Sequence, residues 1–211
     1  MKILGVSTSP RQGQSTDQLV QAVLAGAEGV ETEFVSLAGR NINACVACLG
    51  CVEDNICVVK DGMEELRPKL IEADAFVIGG ANYFNSLNGL GRCFLERWYQ
   101  FRHREARGIA GKLGVALGVG GSNGDRVVSD IQTCFQYNQI ECVAGISAQG
   151  VAGCFTCGYG ENCNVGAIHN MYGPGAKITP ENTPSLAKQP DVLEAARAAG
   201  AKLAERLKAR A

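Results

Sequence analysis

The chain has 211 residues, of which 46 % are hydrophobic and 19 % are charged, so it fits one ordinary α/β domain with a substantial core. Its formal net charge of −1 argues against a broad surface for nucleic acid or anionic membrane. Its ten cysteines are too sparse for a disulfide scaffold, but several of them are clustered, which indicates metal or redox chemistry in a reducing compartment.

Strands and helices are predicted to alternate along the first 150 residues. Apolar runs predict strands at 2–7, 33–37, 75–80, 113–119 and 141–146. Helical periodicity places helices between them, around 19–27, after Asp61, at 88–101 and at 125–137, and a last amphipathic helix runs from Leu193 to Leu207. Asp61 and Glu64 match a capping box. The alternation predicts a doubly wound parallel sheet with helices on both faces.

The loop after the first strand, residues 7–16, is rich in groups that bind anions. It offers hydroxyls at positions 7, 8, 9, 15 and 16, together with Arg11 and Gly13. In a parallel sheet, backbone N–H groups and a helix N-terminus meet at this loop. It lacks both the G-x-G-x-x-G pattern and the P-loop lysine, so a monophosphate suits it better than a triphosphate. The alternative is a polar surface loop in which Ser15 caps the helix.

Two further loops follow predicted strands. Residues 82–86 (Asn-Tyr-Phe-Asn-Ser) offer aromatic faces and amides, and residues 120–124 (Gly-Gly-Ser-Asn-Gly) allow a ring to approach the backbone. Ligands of open α/β sheets bind at the carboxyl ends of the strands. A ligand with a phosphate at one end and a flat heterocycle at the other fits the three loops, and flavin mononucleotide (FMN) is such a ligand.

The three loops resemble those of the flavodoxin-like NAD(P)H-dependent FMN reductases, whose first loop typically reads Gly-Ser-Pro-Arg. Here the loop reads Thr-Ser-Pro-Arg at 8–11, followed by Gly-Gln-Ser-Thr at 13–16. The resemblance implies a five-stranded sheet in the order 2-1-3-4-5, and it implies that the phosphate is held by Ser7, Ser9, Arg11, Ser15 and Thr16. It places the isoalloxazine ring against Asn82, Tyr83, Phe84, Asn85, Gly120, Gly121 and Ser122. One departure is Asn82, because the family commonly has proline there.

The most specific pattern is Cys45-x2-Cys48-x2-Cys51-x5-Cys57. The x2-x2 spacing brings three thiolates onto one compact turn, and a fourth a few residues later can complete the ligands of a cubane cluster. Zinc sites more often use two separated C-x2-C pairs, so the pattern favours an iron–sulfur cluster. Zinc and free redox-active thiols are the alternatives.

The insert at 40–60 that carries these cysteines resembles the iron–sulfur flavoproteins of the same superfamily. The resemblance implies a [4Fe–4S] cluster held by Cys45, Cys48, Cys51 and Cys57 beside FMN. It also implies electron transfer between flavin and cluster and a homo-oligomer, a dimer or tetramer.

A second group, Cys154-x2-Cys157-x5-Cys163, repeats the later part of that spacing without the leading cysteine. His169, Cys142 or Cys134 are candidates for a fourth ligand. Three ligands make an incomplete site, so buried small residues or a thiol pair are favoured and no role is assigned. Cys93, Cys134 and Cys142 are expected in the core.

A locally basic stretch follows the third strand. We expect a solvated helix end or a subunit contact there, and the alternative is a docking patch for an NADPH phosphate or an acidic protein. Trp98, Tyr99 and Phe101 are expected to pack or to lie at an interface rather than stack on flavin. The basic residues are Arg92, Arg97, Arg102, His103, Arg104 and Arg107.

The sequence thus predicts an FMN-dependent oxidoreductase that passes electrons between a donor such as NAD(P)H, FMN and a [4Fe–4S] cluster, without a catalytic acid or base from the protein. The alternatives are an NAD(P)H-dependent FMN or quinone reductase without a functional cluster, and a non-enzymatic flavin electron carrier. Expected partners are NAD(P)H, a quinone or a ferredoxin-like protein.

The short apolar start is unlike a signal peptide, and no stretch approaches a membrane span. We therefore expect a cytoplasmic protein without membrane or nucleic-acid partners. We expect one domain over 1–211, comprising the insert at 40–60 and a C-terminal extension over 151–211.

Overall fold

A computed structural model describes residues 1–104 and 108–210 of the chain. Its five strands are all parallel and pair in the order β2-β1-β3-β4-β5. This order confirms the flavodoxin-like sheet that the sequence predicts. The strands are β1 (Lys2–Ser7), β2 (Glu31–Ser36), β3 (Ala75–Ala81), β4 (Leu113–Gly120) and β5 (Glu141–Gln149).

Six α-helices accompany the sheet in the described residues, and none of these helices is long and apolar enough to cross a membrane. Short 3₁₀ segments lie at Arg97–Phe101, Gly153–Phe155, Gly160–Asn162 and Leu186–Lys188. The helices are α1 (Ser15–Gly26), α2 (Met63–Glu72), α3 (Gly89–Glu96), α4 (Asp125–Tyr137), α5 (Ala167–Tyr172) and α6 (Pro190–Lys208).

Two hydrophobic cores lie on opposite faces of the sheet. On one face, α1 and α6 pack their apolar side chains against Ile3, Val77 and Val115. On the other face, α2, α3 and α4 surround a fully buried Trp98, whose ring lies 5.3 Å from that of Phe76. The central strands β3 and β4 are buried along their whole length, which is typical of a parallel sheet covered on both faces.

Helices α1 and α6 approach each other through glycine. A Cβ atom added at Gly200 of α6 would lie 1.9 Å from the carbonyl oxygen of Val23 in α1, and one added at Gly26 would lie 2.0 Å from that of Arg197. No side chain fits between two backbones at these distances. The two helices are therefore in direct backbone contact.

The structure corrects three details of the predicted elements. Strand β2 begins at Glu31 rather than at residue 33, and β5 continues to Gln149 instead of ending at 146. The third predicted helix is α-helical only to Glu96 and then tightens into the 3₁₀ segment Arg97–Phe101. At the end of β5, the side chain of Gln189 makes two hydrogen bonds to the backbone of Gln149. Its Oε1 accepts from the Gln149 N–H, and its Nε2 donates to the Gln149 carbonyl.

The predicted capping box before α2 does not form. The N-cap position is Gly62, and the Glu64 carboxylate pairs with Lys60 at 2.9 Å instead of reaching back to the backbone of Asp61. Asp61 still accepts the Met63 N–H at 3.0 Å, but its other oxygen is engaged elsewhere, as described below.

Candidate functional site

A cavity of about 180 Å³ lies at the carboxyl ends of β1, β3 and β4. Because the strands are parallel, the loops that follow them meet at this edge of the sheet. The cavity thus brings together parts of all three loops that the sequence singles out. Its lining residues are Ser9, Arg11, Gln14, Ser15, Thr16, Ala81, Asn82, Tyr83, Val119, Gly120, Gly121, Gly150, Val151, Ala152 and Gly153.

The N-terminus of α1 forms one end of the cavity. The N-cap residue is Gln14, which makes no side-chain cap bond to the described residues, and Ser15 is already the first residue of the helix, so it does not cap it. The first backbone N–H groups of a helix have no partner within the helix, and they carry its positive dipole end. With the hydroxyls of Ser15 and Thr16 beside them, these donors suit a phosphate.

The loop that leads into α1 is fixed by its own hydrogen bonds. The Asp17 carboxylate accepts the N–H of Gly13 at 2.7 Å, where the backbone turns with φ +72°. The Ser9 hydroxyl accepts the Arg11 N–H at 3.1 Å. The Arg11 guanidinium donates to the Val151 carbonyl at 2.9 Å, which leaves its other N–H groups for a bound anion.

The opposite end of the cavity is made of backbone. A Cβ atom added at Gly120 would lie 2.0 Å from the Asn123 carbonyl oxygen, so only glycine fits this turn. The Asn82 N–H donates to the Val119 carbonyl at 2.7 Å, and its side chain donates to the Asn123 carbonyl at 3.1 Å. A proline at position 82, as the family commonly has, would remove the first of these bonds.

Four of the predicted flavin residues lie outside the cavity lining. Ser7 is fully buried, and its hydroxyl has no hydrogen-bond partner among the described residues. Phe84 and Asn85 occupy the tip of a tight turn at φ 52° and 56°, where the Phe84 side chain is fully exposed. Ser122 is likewise absent from the lining.

The segment 150–153 is a wall of the cavity that the sequence interpretation missed. Gly150 is bound to the sheet through its N–H, which donates to the Gly120 carbonyl at 2.8 Å, and space is open beside Gly153. Its position in the sequence could have revealed it. The segment directly follows β5, just as residues 82–86 follow β3 and residues 120–124 follow β4.

The residues present fit FMN. The uncapped first turn of α1 with Ser15, Thr16 and Arg11 provides donors and positive charge for a phosphate. At the other end, Gly120 and Gly121 leave the backbone open to a flat ring. The two ends match the two chemically different ends of the nucleotide.

The four cysteines of the insert lie on an irregular loop between β2 and α2. Cys51 is buried, Cys48 is exposed, and Cys45 and Cys57 are half-buried. Residues on both sides of Cys48, Ala47 and Leu49, adopt left-handed backbone conformations with φ 52° and 58°. The chain therefore turns tightly around the thiols.

The Cys51 thiol lies within electrostatic reach of the other three thiols. Burial raises the pKa of the Cys51 thiol, and the neighbouring sulfurs of Cys57, Cys45 and Cys48 raise it further. Within the two described ranges, no three His, Cys, Asp or Glu side chains are positioned to hold a metal ion. The fit to an iron–sulfur cluster therefore rests on the chemistry of four thiols on one loop, a donor set that suits iron–sulfur clusters and zinc.

The interpretation of Arg97 as a surface residue is wrong. Its side chain is 1 % exposed and pairs with the fully buried carboxylate of Asp61, with 2.6 Å between Nη1 and Oδ2. The sequence places Arg97 among residues that are exposed, such as Arg102 and Arg104, and the packing of the cysteine loop over the 3₁₀ segment is what covers it. Arg107 lies outside the described residues.

The second cysteine group is not a set of buried small residues. Cys157 is exposed, Cys154 and Cys163 are half-buried, and all three are free thiols. The ring of His169 places Nε2 3.0 Å from the Glu161 carbonyl. Cys93, Cys134 and Cys142, by contrast, pack against the core as expected, as do Trp98 and Phe101.

Comparison with known proteins agrees with this geometry. The model of the family "NADPH-dependent FMN reductase" matches residues 1–149. An iron–sulfur flavoprotein of Methanocaldococcus jannaschii is 34 % identical over 134 residues, which cover 63 % of this chain and 68 % of the relative. One of Methanosarcina thermophila is 31 % identical over 142 residues, covering 66 % and 74 %.

A solved structure shares the fold. The crystal structure of RosB, with a bound 8-demethyl-8-formylriboflavin-5'-phosphate intermediate, matches with a TM-score of 0.64 at 17 % identity, covering 99 % of this chain and 80 % of that one. At this identity the likeness shows the fold alone. The relatives and the family model carry the assignment: the chain belongs to the NADPH-dependent FMN reductase family and is a flavin-dependent oxidoreductase related to the iron–sulfur flavoproteins.

Proposed function

We propose that this protein binds FMN in the cavity at the carboxyl edge of the sheet and transfers electrons between a reduced donor, NAD(P)H, and a [4Fe–4S] cluster held by Cys45, Cys48, Cys51 and Cys57. The observation that carries the proposal is the uncapped N-terminus of α1 facing a glycine-walled cavity, in a chain that also carries four thiols on one loop. We place this activity in the cytoplasm, where all ten cysteines stay reduced.

The residues of the phosphate end differ in what they contribute. Ser15 and Thr16 provide hydroxyls and backbone N–H groups at the helix end, and Arg11 provides charge. Ser9 lines the cavity, but its hydroxyl already accepts a backbone bond, so its main role is to hold the loop. Ser7 supports the loop from the sheet, since its side chain is buried.

At the ring end, the chain orients the flavin and excludes water from it. Asn82 joins the loops after β3 and β4, and Gln149 donates to the Gly121 carbonyl at 2.9 Å, so the backbone around the ring is fixed before binding. Tyr83 offers an aromatic face at the rim. Bound FMN supplies chemistry that accepts a hydride and releases electrons singly, and the protein contributes position and electrostatics.

Purification without oxygen tests the proposal directly. We expect one FMN and about four irons with four sulfides per chain, as the proposed cluster requires. Flavin without iron or sulfide would refute the cluster and leave an NAD(P)H-dependent FMN or quinone reductase. Rapid mixing with NADH and with NADPH should bleach the flavin absorbance, and no bleaching by either nucleotide would instead support an electron carrier between proteins.

A further inference from the structure

The ends of the cysteine loop are joined by one buried side chain. The Arg97 Nη1 donates to the Asn43 carbonyl at 3.2 Å, two residues before Cys45, and its Nη2 donates to the Val59 carbonyl at 3.1 Å, two residues after Cys57. A single guanidinium thus bridges the entry and the exit of the loop. The planar fork of arginine allows this, whereas lysine presents one point charge.

The charge of Arg97 is balanced by Asp61 at the end of the same loop. The Asp61 carboxylate accepts from Arg97, from the Asn43 N–H at 2.8 Å and from the Met63 N–H at 3.0 Å. These bonds outweigh the burial that opposes its charge, so the pKa of Asp61 lies below its usual range. Asp61 therefore joins the entry of the loop to the start of α2, and Arg97 joins the loop to the 3₁₀ segment.

The same guanidinium lies near Cys57, because Arg97 and Cys57 line one cavity of about 270 Å³. The Arg97 Nε is buried and has no acceptor among the described residues. The Cys57 N–H donates to Gln100 Oε1 at 3.1 Å, so the 3₁₀ segment holds this cysteine from its backbone as well.

From this geometry we infer that Arg97, paired with Asp61, is a positioning residue for the iron–sulfur site. Arg97 closes the cysteine loop and, through Cys57, sets the reduction potential of the cluster. The inference rests on the proposed function. Reduction adds negative charge to a cluster, and a buried cation with N–H donors beside a ligand sulfur stabilises the reduced form. The negative charge of Asp61 is itself compensated by the guanidinium, two backbone N–H groups and the Asn43 side chain.

The test compares the double variant R97M/D61N and the control variant R102M with the wild type. Arg97→Met alone leaves a buried, unpaired carboxylate, which is costly in its own right. The double variant R97M/D61N removes both charges. The amide that replaces the carboxylate keeps one acceptor oxygen, so it retains the bond from the Asn43 N–H or the one from the Met63 N–H, which use different oxygens of Asp61. The matched control is Arg102→Met, because Arg102 is exposed and follows the same 3₁₀ segment.

The readouts are iron and sulfide content, the rate of iron release to a chelator, and the cluster midpoint potential by spectroelectrochemistry. For R97M/D61N we expect the cluster to assemble and to release iron roughly tenfold faster. Its midpoint potential should be lower by ~59 mV, which is a tenfold change in the equilibrium constant of a one-electron reduction. R102M should match the wild type in all three.

Two results would overturn the inference. If R97M/D61N keeps the wild-type potential, Arg97 does not set it and has at most a structural role, whatever the rate of iron release. If R102M shifts the potential as much, the effect is general surface charge. A wild-type protein that lacks iron and sulfide refutes the proposed cluster itself, and this shows in the metal count before any variant is compared.

Discussion

The flavin cavity and the cysteine loop are held in different ways. The cavity wall is continuous with the backbone pairing of the strands, as in the bonds from Asn82 to Val119 and from Gly150 to Gly120. The cysteine loop has no regular element, and a few side chains, above all Arg97 and Asp61, join it to the fold.

The difference indicates how each site responds to substitution. A site built from sheet backbone keeps its shape when one side chain is lost, so single substitutions should weaken binding by a limited factor. In the cysteine loop the thiols themselves are the proposed ligands, so a single substitution of one of them should abolish the cluster.

The largest effect is expected from Cys51→Ser. Cys51 is the most buried of the four cysteines, and serine does not replace a thiolate ligand, so iron and sulfide should fall to near zero. Flavin content should stay at the wild-type level. The control is Cys157→Ser, an exposed thiol of the second group, which should leave the iron count unchanged. Iron retained in C51S, or lost in C157S, would contradict the ligand assignment.

Arg11→Met should weaken FMN binding without unfolding the protein. A hydrogen bond to a charged group contributes about 1.5–3 kcal/mol, so we expect the Kd for FMN to rise roughly 10- to 100-fold. Titration of flavin-free protein with FMN, followed by fluorescence quenching, measures this. Arg126→Met is the matched control, since Arg126 is exposed on α4 and pairs with Asp130. An unchanged Kd in R11M would remove Arg11 from the phosphate site.

Substitutions at two glycines of the cavity should separate an effect on stability from an effect on FMN binding. Gly120→Ala places a methyl group 2.0 Å from the Asn123 carbonyl and should lower the free energy of unfolding by about 1–3 kcal/mol. Gly153→Ala meets no atom within 4 Å, so its stability should be unchanged while its affinity for FMN falls. Denaturant unfolding without flavin checks the first expectation, and FMN titration checks the second. Equal stability losses would contradict the contrast.

The smallest effect is expected from Glu33 in β2, an outer strand of the sheet. Hydrogen bonds from Lys2 and Lys69 lower the pKa of Glu33 below 4.5. The stability from this carboxylate is therefore present above pH 4.5 and is lost as the pH falls through the lowered value. Because Glu33 is 25 % exposed, the contribution is about 0.5–1 kcal/mol. In Glu33→Gln, the free energy of unfolding, measured without flavin, should fall less steeply as the pH is lowered. FMN affinity should stay unaltered. A free energy of unfolding that falls as steeply in Glu33→Gln as in the wild type would contradict the assignment.

Local pattern predicted the sheet, because each strand is a short apolar run followed by a helix and the pairing rules of such chains are few. The same reasoning found the cavity loops, since position after a strand decides where ligands bind. It failed for Arg97, whose burial depends on a loop that begins more than fifty residues earlier. Ser7 and Phe84 lie outside the cavity lining, which local pattern does not reveal, because a residue type does not show which way its side chain points from a strand end or a tight turn.

The glycine crossing of α1 and α6 has a consequence for dynamics. Since the backbones of these helices touch at Gly26 and Gly200, α1 cannot slide or tilt without moving the C-terminal helix. The phosphate end of the cavity therefore belongs to one cooperative unfolding unit that includes the last nineteen-residue helix of the chain. Amide hydrogen exchange should protect the two helices together, and FMN should find its phosphate donors already in place, without an ordering cost at the moment of binding.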